Sequence, residues 1–309
     1  MNTGDITAEA LFERSRVTPS DERVFLLKVA LALLVTGLGG FLALTGTWWS
    51  ASIGVLLLTA MYTHMVELQH QCLHHSAFSR SAPHRPVGFL LGLPLLSAYS
   101  HYRVQHLQHH KYLGTPDDSE FFGFDTRAPL TWGSLLRAAC SPGRLIGVGR
   151  DMAAGCRGTW TYTTGQIGER ARRHVIAEYR AFAVFVAAAL VLACWGHGTT
   201  VLLLWVAPLL LSLPVHFLLE LPEHVLCDSD STDVLRNTRT ISGSWFSRWF
   251  TNGNNFHVEH HAAMTVPINR LPARHPVARE LAVHSDTSYA AFYLRVLRVI
   301  REGSRGEAA

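Results

Sequence analysis

Two long uncharged stretches constrain the fold of this chain more than any other feature. No charged residue occurs from Val29 to Val66 or from Ala181 to Leu219. Each stretch is about 40 residues long, twice the roughly 20 that a helix needs to cross a bilayer. Buried hairpins of a soluble protein are the alternative, but soluble cores rarely extend so far without a charge. Each stretch also contains a break near its middle, at 45–49 and at 195–200. We therefore predict two helical hairpins with four membrane spans, at about 24–45, 48–66, 179–196 and 200–220.

The positions of lysine and arginine predict the orientation of these spans. None of the 27 lysine and arginine residues falls in the two short hairpin loops. Because positive charge is retained on the cytoplasmic side, we expect a multi-pass integral membrane protein with both termini in the cytoplasm. The formal charge of +4 would then face anionic lipid headgroups, and we expect no nucleic-acid partner.

The remaining sequence divides around these spans. Residues 1–23 are predicted to form a cytoplasmic lead, residues 24–275 a membrane domain, and residues 276–309 a cytoplasmic C-terminal amphipathic segment. Within that last segment, arginines alternate with apolar residues from Tyr289 to Arg301, a pattern typical of a basic helix lying on a membrane surface. The five cysteines form no CxxC pair, so the sequence does not encode a cysteine-bound metal cluster.

Three histidine clusters lie near the predicted membrane boundaries. They are His70-Gln-Cys-Leu-His74-His75, His106-Leu-Gln-His109-His110 and His257-Val-Glu-His260-His261. Neutral imidazole is the commonest metal ligand, and spacings of three and four residues place side chains on one face of a helix. Three such clusters supply more ligands than one metal can use, so the sequence indicates two metals.

Helical geometry selects among these histidines. Four residues bring His74 close to the face of His70, whereas five carry His75 away from it, so His75 is better interpreted as a neighbour. The second and third clusters contribute all their members, which gives eight candidate ligands: His70, His74, His106, His109, His110, His257, His260 and His261.

Further candidates lie outside the clusters. His224 follows the fourth predicted span and is the plausible ninth ligand, with an ordinary interfacial histidine as the alternative. Glu220 ends that span, where a charged residue is costly unless it is paired or used, so it is a candidate for indirect or water-mediated support of a metal. His75 and His101 are candidates for the same supporting role, although a structural histidine is the simpler interpretation of His101.

The predicted topology is consistent with a shared site. All three clusters lie on the cytoplasmic side of the membrane, and none falls in a hairpin loop. We therefore expect an all-α fold, an integral membrane bundle of four transmembrane helices in two hairpins, with a cytoplasmic helical cap that carries the metal site.

The motifs resemble those of the membrane-bound fatty acid desaturase family. The segments HQCLHHSAF at 70–78, HLQHH at 106–110 and FHVEHHAAMTVPINRLP at 256–272 are similar to the three histidine boxes of that family. Ala262-Ala263-Met264 departs from the bulkier residues common after the third box. The resemblance therefore does not define the end of the site that contacts the substrate.

The resemblance implies a non-haem site with two iron ions. The resemblance assigns the role of iron ligand to the eight histidines of the clusters, with His224 as the additional ligand. It also implies a lipid or acyl substrate and a separate electron donor, such as a ferredoxin or a cytochrome b5-type protein with its reductase. No HPGG segment of a fused cytochrome b5 is present. No catalytic residue beyond the metal ligands is expected.

Three functions are consistent with this pattern. The first is an O2-dependent oxidoreductase that uses external electrons to desaturate an acyl chain of a lipid or thioester. The second is a hydroxylase or ketolase that acts on a lipid, carotenoid or amphiphilic metabolite with the same scaffold. The third, of another class, is a membrane metal transporter or metal-binding protein, which is disfavoured because the clusters lie beyond the span ends.

Overall fold

The computed structural model describes residues 8–118, 124–140 and 142–306, and helices dominate these ranges. Residues 1–7 of the predicted lead and 307–309 of the predicted C-terminal segment lie outside the described residues. The chain divides into two compact units. We call Thr18–His106 with Pro142–His216 the long-helix unit. The described residues of Met1–Val17, Leu107–Ser141 and Phe217–Ala309 form the short-helix unit.

The long-helix unit is built from helices only in its described residues. Two of its helices, Tyr99–Tyr112 and Ala207–Glu220, continue beyond the boundaries of the unit. In chain order the helices are α2 (Pro19–Leu44), α3 (Trp48–Leu73), α4 (His84–Gly92), α5 (Tyr99–Tyr112), α7 (Pro142–Arg157), α8 (Glu169–Leu192), α9 (Gly198–Val201) and α10 (Ala207–Glu220).

The first uncharged stretch forms the hairpin of α2 and α3. Helix α2 begins at Pro19 rather than near residue 24, because Thr18 and Asp21 form a capping box. The backbone N–H of Thr18 donates to Asp21 Oδ2 at 2.8 Å, which satisfies a donor at the helix start. In the middle of the hairpin, a Cβ on Gly54 would collide with the backbone of Ala43 and Gly39. The absence of a side chain at Gly54 therefore allows the two helices to approach closely, as small residues do in membrane bundles.

One face of α2 carries large apolar side chains that the protein does not cover. Leu27, Leu34 and Phe41, spaced seven residues apart, are each about two-thirds exposed or more. Water would penalise this surface, whereas a lipid environment would not. The exposed face is therefore consistent with a helix that lies in a membrane.

The second uncharged stretch lies in a helical segment from Glu169 to Glu223 that is interrupted near its middle. Gly196 has a φ of 94°, which ends the regular helix at the break expected from the sequence. On either side of this break, the rings of Phe185 and Trp205 meet edge to face with centroids 4.8 Å apart. Both residues lie about ten positions from the break, so the segment folds back on itself.

Among the described residues, three helical segments are long and apolar enough to cross a membrane, namely Pro19–Leu44, Trp48–Leu73 and Glu169–Glu223. This supports a membrane-associated, mainly helical protein. The count of four crossings, the orientation of the termini and the cytoplasmic cap remain predictions.

The short-helix unit contains shorter helices and one small sheet. Strand β1 (Arg239–Ile241) pairs in parallel with β2 (His284–Asp286), so the all-α expectation missed two short strands. The helices that lie wholly in this unit are α1 (Ala8–Leu11), α6 (Trp132–Ala139), α11 (Val234–Asn237), α12 (Trp245–Phe250), α13 (His257–Ala262), α14 (Leu271–Leu281) and α15 (Tyr289–Gly306).

Helix α15 packs its apolar face inside the short-helix unit. Phe292, Val296 and Ile300 are almost fully buried, and they share a core with Phe217 and Leu221. The helix is amphipathic, as the sequence indicates. Part of the apolar face is therefore covered by protein, because a period of four residues suits burial against protein, and the location of the helix on a membrane stays a prediction.

Candidate metal centre

Three histidines of the long-helix unit form the first histidine group. His70 and His74 lie one turn apart at the end of α3, and His106 projects from α5. The Nε2 atoms of His70 and His106 lie 2.6 Å apart, and a ligand nitrogen from each of the three rings lies within 4.8 Å of the others. All three side chains are buried. Histidines of the first and second clusters therefore lie next to one another in this unit.

Four histidines of the short-helix unit form the second histidine group. They are His109, His224, His257 and His261, and their ligand nitrogens lie within 4.8 Å of one another. His224 Nε2 lies 3.2 Å from the Nε2 atoms of both His109 and His257, and His257 Nε2 lies 3.1 Å from that of His261. The group thus includes the histidine that lies outside the three motifs.

In two of these rings, the hydrogen bond made by Nδ1 determines that the lone pair lies on Nε2. His109 Nδ1 lies 2.9 Å from Asp118 Oδ1, and His224 Nδ1 lies 3.0 Å from the carbonyl oxygen of Asn237. Both partners are acceptors, so each Nδ1 carries the proton and each Nε2 presents a lone pair. The two Nε2 lone pairs then face one another at 3.2 Å. This arrangement is repulsive by itself and becomes favourable when a cation lies between the nitrogens.

Burial favours the neutral form of the same histidines. It lowers the pKa of His224 to about 3, and the neighbouring His109 contributes in the same direction. Burial also lowers the pKa of His261 well below its ordinary value, followed by the effect of His110. Both rings are therefore uncharged at neutral pH, which is the form that binds metals.

His110 and His260 lie beside the second histidine group in the short-helix unit. Their Nε2 atoms are 3.1 Å apart, and the ring of His110 stacks on that of His261 with centroids separated by 4.0 Å. All six candidate histidines of this unit therefore lie in mutual contact or next to a member of the group.

The three candidates for a supporting role have different surroundings. Glu220 is buried and lines a pocket together with His109 and His224. His75 is exposed and stacks on His84, with ring centroids 4.5 Å apart. His101 Nδ1 lies 2.6 Å from the hydroxyl oxygen of Tyr179. The supporting roles of His75 and His101 stay predictions, and the contact with Tyr179 agrees with a structural role for His101.

The third cluster is held in place by a buried carboxylate within it. Glu259 is completely buried on α13. It accepts a hydrogen bond from the Thr240 hydroxyl at 2.7 Å, and its other oxygen lies 2.6 Å from His275 Nδ1. These contacts tie α13 to β1 and to α14, which fixes the helix that presents His257 and His261.

A pocket in the short-helix unit opens beside the second histidine group. The space inside it is about 550 Å³, which includes space open to solvent. Phe124, Phe217, Leu221 and Val225 form apolar lining, and Arg127 contributes a cation. Apolar side chains thus lie beside His109 and His224 in the wall of this pocket.

Sequence reasoning missed several residues that shape this centre. Asp118 lies in the turn-rich segment after the second cluster, and Asn237 precedes β1. Asp118 carried a weak signal, because metal-bound histidines usually pair with a carboxylate or carbonyl. Nothing in the local sequence pointed to Asn237, whose contribution is a backbone oxygen.

Comparisons with known proteins agree with the motifs. The family model described as fatty acid desaturase matches residues 46–293. A dihydrorhizobitoxine desaturase from Bradyrhizobium elkanii is 24% identical over 243 residues, which cover 72% of this chain and 65% of that protein. The match thus spans just under two-thirds of the relative's length.

Proposed function

Because the chain belongs to the fatty acid desaturase family, we propose that it is a membrane-bound oxidoreductase with two non-haem iron ions. It uses O2 and external electrons to desaturate an acyl chain of a lipid or thioester. The pair of facing Nε2 lone pairs on His109 and His224 carries the metal part of this proposal. The matched family and the named activity of the relative support the reaction class.

The proposed ligands are nine histidines. His109, His224, His257 and His261 would hold one iron, and His70, His74 and His106 would contribute to the other, with His110 and His260 completing the set. Imidazole suits iron, and the neutral rings of His224 and His261 need no proton release at neutral pH before they bind. The iron ions would supply the capacity to oxidise an unactivated C–H bond with O2 and two electrons.

The residues of the pocket would position the substrate. Phe217, Leu221 and Val225 provide an apolar wall for the chain, and Phe124 faces the same space. Glu220 lies in this lining and would support the metal site through a water molecule or hold a proton near it. A fixed approach of the chain to the histidines decides which C–H bond reacts, because small displacements of a reacting atom cost large factors in rate.

The surroundings of the enzyme follow from the proposed topology. Four crossings would place both termini and all nine histidines on the cytoplasmic side, within reach of a soluble or membrane-bound electron donor. A ferredoxin, or a cytochrome b5-type protein with its reductase, would serve this role.

Lipid analysis and metal analysis together test the proposal. Cells that express the wild-type chain should contain an acyl product that has lost two hydrogens, and the purified protein should contain iron. His109→Ala should lose both the product and part of the iron. His284→Ala is the control, because His284 lies in β2 and pairs with Asp228.

The other outcomes distinguish the competing functions. A product that has gained one oxygen would indicate that the enzyme is a hydroxylase with the same scaffold, and it would contradict desaturation. Exchangeable zinc without any oxidised product would favour a metal transporter or metal-binding protein and would contradict the enzyme proposal.

A further inference from the structure

Glu223 places a carboxylate at the second histidine group. It is the last residue of the 3-10 turn Leu221–Glu223 and directly precedes His224. Its Oε2 lies 3.3 Å from His257 Nε2, and its side chain is only 12% exposed. A carboxylate so near a histidine cluster is a candidate metal ligand, since carboxylates and imidazoles together bind iron in non-haem oxygenases.

The distances within this group match those between ligands on one metal. Metal–ligand bonds of about 2.1 Å separate adjacent ligand atoms by roughly 3.0 Å in an octahedron and 3.4 Å in a tetrahedron. The Nε2 contacts of the second histidine group are 3.2, 3.2 and 3.1 Å long. The contact of Glu223 Oε2 with His257 Nε2, at 3.3 Å, falls in the same range.

A simple hydrogen bond from His257 to Glu223 accounts for less of the geometry. The Nε2 of His257 faces the carboxylate, the lone pair of His224 and the Nε2 of His261 at similar distances. A single N–H can point to one of these acceptors and leaves the others facing a nitrogen. A cation among these atoms attracts all of them at once.

The backbone around Glu223 is held rigidly. The guanidinium Nη1 of buried Arg239 donates to the carbonyl oxygens of Pro222 at 3.0 Å and Val225 at 2.7 Å. These two carbonyls bracket Glu223 and His224, so one cation fixes the segment that presents both side chains. Ligands fixed in this way are suited to a defined coordination geometry.

We propose that Glu223 is a carboxylate ligand of the metal bound by His109, His224, His257 and His261. This metal then has four imidazoles and one carboxylate rather than imidazoles alone. The carboxylate adds a negative charge, which strengthens the binding of a divalent or trivalent cation in this buried site. The inference rests on the proposed function only in that the second histidine group binds a metal.

The test compares Glu223→Gln with the wild-type full chain, purified in detergent and loaded anaerobically with 57Fe2+. Glutamine keeps the size of the side chain but removes its charge. Loss of even a residue that supports a ligand indirectly lowers metal affinity roughly 10- to 100-fold. Loss of a direct ligand should therefore lower the affinity for one of the two iron ions at least about 10-fold. The Mössbauer spectrum of that iron should also change. Glu280→Gln is the matched control, because Glu280 is exposed on α14 of the same unit.

The outcomes separate this inference from the proposed function. A wild-type protein that binds no iron would overturn both. A wild-type protein with iron, together with a Glu223→Gln variant of unchanged iron affinity and spectrum, would overturn the role of Glu223 alone.

A variant that fails to fold still leaves a decisive measurement. In an experimental structure of the metal-loaded wild-type protein, a Glu223 oxygen should lie about 2.0–2.3 Å from the metal. A carboxylate that points away from the metal and bonds only to His257 would refute the inference.

Discussion

The two histidine groups are built in different ways. In the long-helix unit, His70 lies on a helix of 26 residues, His74 is the C-cap of that helix, and His106 extends from a helix of 14 residues. In the short-helix unit, His257 and His261 lie on a helix of only six residues, and His224 lies outside any helix. Regular helix geometry positions the first group, whereas contacts with buried polar groups position much of the second.

This difference predicts where substitutions should matter. A long helix keeps its side-chain spacing when one neighbour is lost, because its backbone hydrogen bonds are internal. A short turn has few such bonds and depends on partners from elsewhere in the chain. Buried polar residues around the second histidine group should therefore be more sensitive than comparable residues of the long-helix unit.

Arg239→Met should give the largest effect on stability. Arg239 is 1% exposed, lies 3.0 Å from Asp286 Oδ2 and donates to three backbone carbonyls near His224. Removing one partner of such a buried pair typically costs about 3–5 kcal/mol. The midpoint of thermal unfolding and the iron content of the purified protein should both fall.

The matched substitution in the long-helix unit is Arg85→Met. Arg85 pairs with buried Glu178 at 2.9 Å, but its side chain is 39% exposed. Glu178 also accepts hydrogen bonds from the backbone N–H and the hydroxyl of Ser100, and both remain when Arg85 is replaced. We therefore expect a smaller cost than that of Arg239→Met, whose own side chain is 1% exposed. Equal losses in both variants would contradict the contrast between the units.

His84 provides a pH-dependent test within the long-helix unit. Burial lowers its pKa to about 4, and its Nε2 accepts a hydrogen bond from the backbone N–H of Phe78 at 3.1 Å. Because the unfolded pKa is near 6.5, its stabilising contribution is complete above that pH and is lost as the pH falls through about 4. The full loss is about 3 kcal/mol.

Unfolding midpoints between pH 7 and pH 4 measure this effect. The wild-type protein should lose stability more steeply over this interval than His84→Gln, which has no titrating ring at this position. Parallel pH profiles of the two proteins would show that His84 does not contribute.

Asp118→Asn tests the orientation of a proposed ligand in the short-helix unit. The Asp118 carboxylate accepts a hydrogen bond from His109 Nδ1 at 2.9 Å, and asparagine can present either an oxygen or an N–H to that ring. Loss of such a partner typically lowers metal affinity or activity by roughly 10- to 100-fold, or about 1.4–2.8 kcal/mol.

Iron titration of the purified protein measures the change. Asp117→Asn is the control, because Asp117 is adjacent in the chain but exposed. Equal iron affinities for the two variants would show that Asp118 does not orient His109.

The contrast also explains how much of the fold and site could be predicted. The hairpin of α2 and α3 follows from the uncharged stretch, and the pairing of His70 with His74 follows from helical spacing. The capping box at Thr18 and Asp21 lies outside the apolar pattern, so that pattern does not reveal that α2 begins at Pro19. Regular helix packing thus leaves a periodic signal in the sequence, whereas a capping contact at a helix end does not.

Contacts between distant segments leave no such signal. Arg239 reaches carbonyls 13 to 17 positions earlier in the chain, and Asn237 contributes only a backbone oxygen to His224. The pairing of β1 with β2 joins three-residue strands more than 40 positions apart, which are too short to show alternation. Charge and histidine spacing thus predict the candidate ligands. The groups that hold His224 in place can be identified only from the three-dimensional structure.

Asp230→Asn should give the smallest effect, although it removes a 2.8 Å ion pair in the short-helix unit. Its partner Arg127 lines the pocket and also donates to the carbonyl oxygen of Ser229, while Asp230 itself is 88% exposed. Exposed ion pairs contribute about 0–1 kcal/mol, because water solvates both charges when the pair is lost. The unfolding midpoint should therefore remain close to that of the wild-type protein, in contrast to Arg239→Met. A loss of several kcal/mol would show that exposure does not decide the sensitivity of polar contacts in this unit, and the distinction between buried and exposed partners would fail.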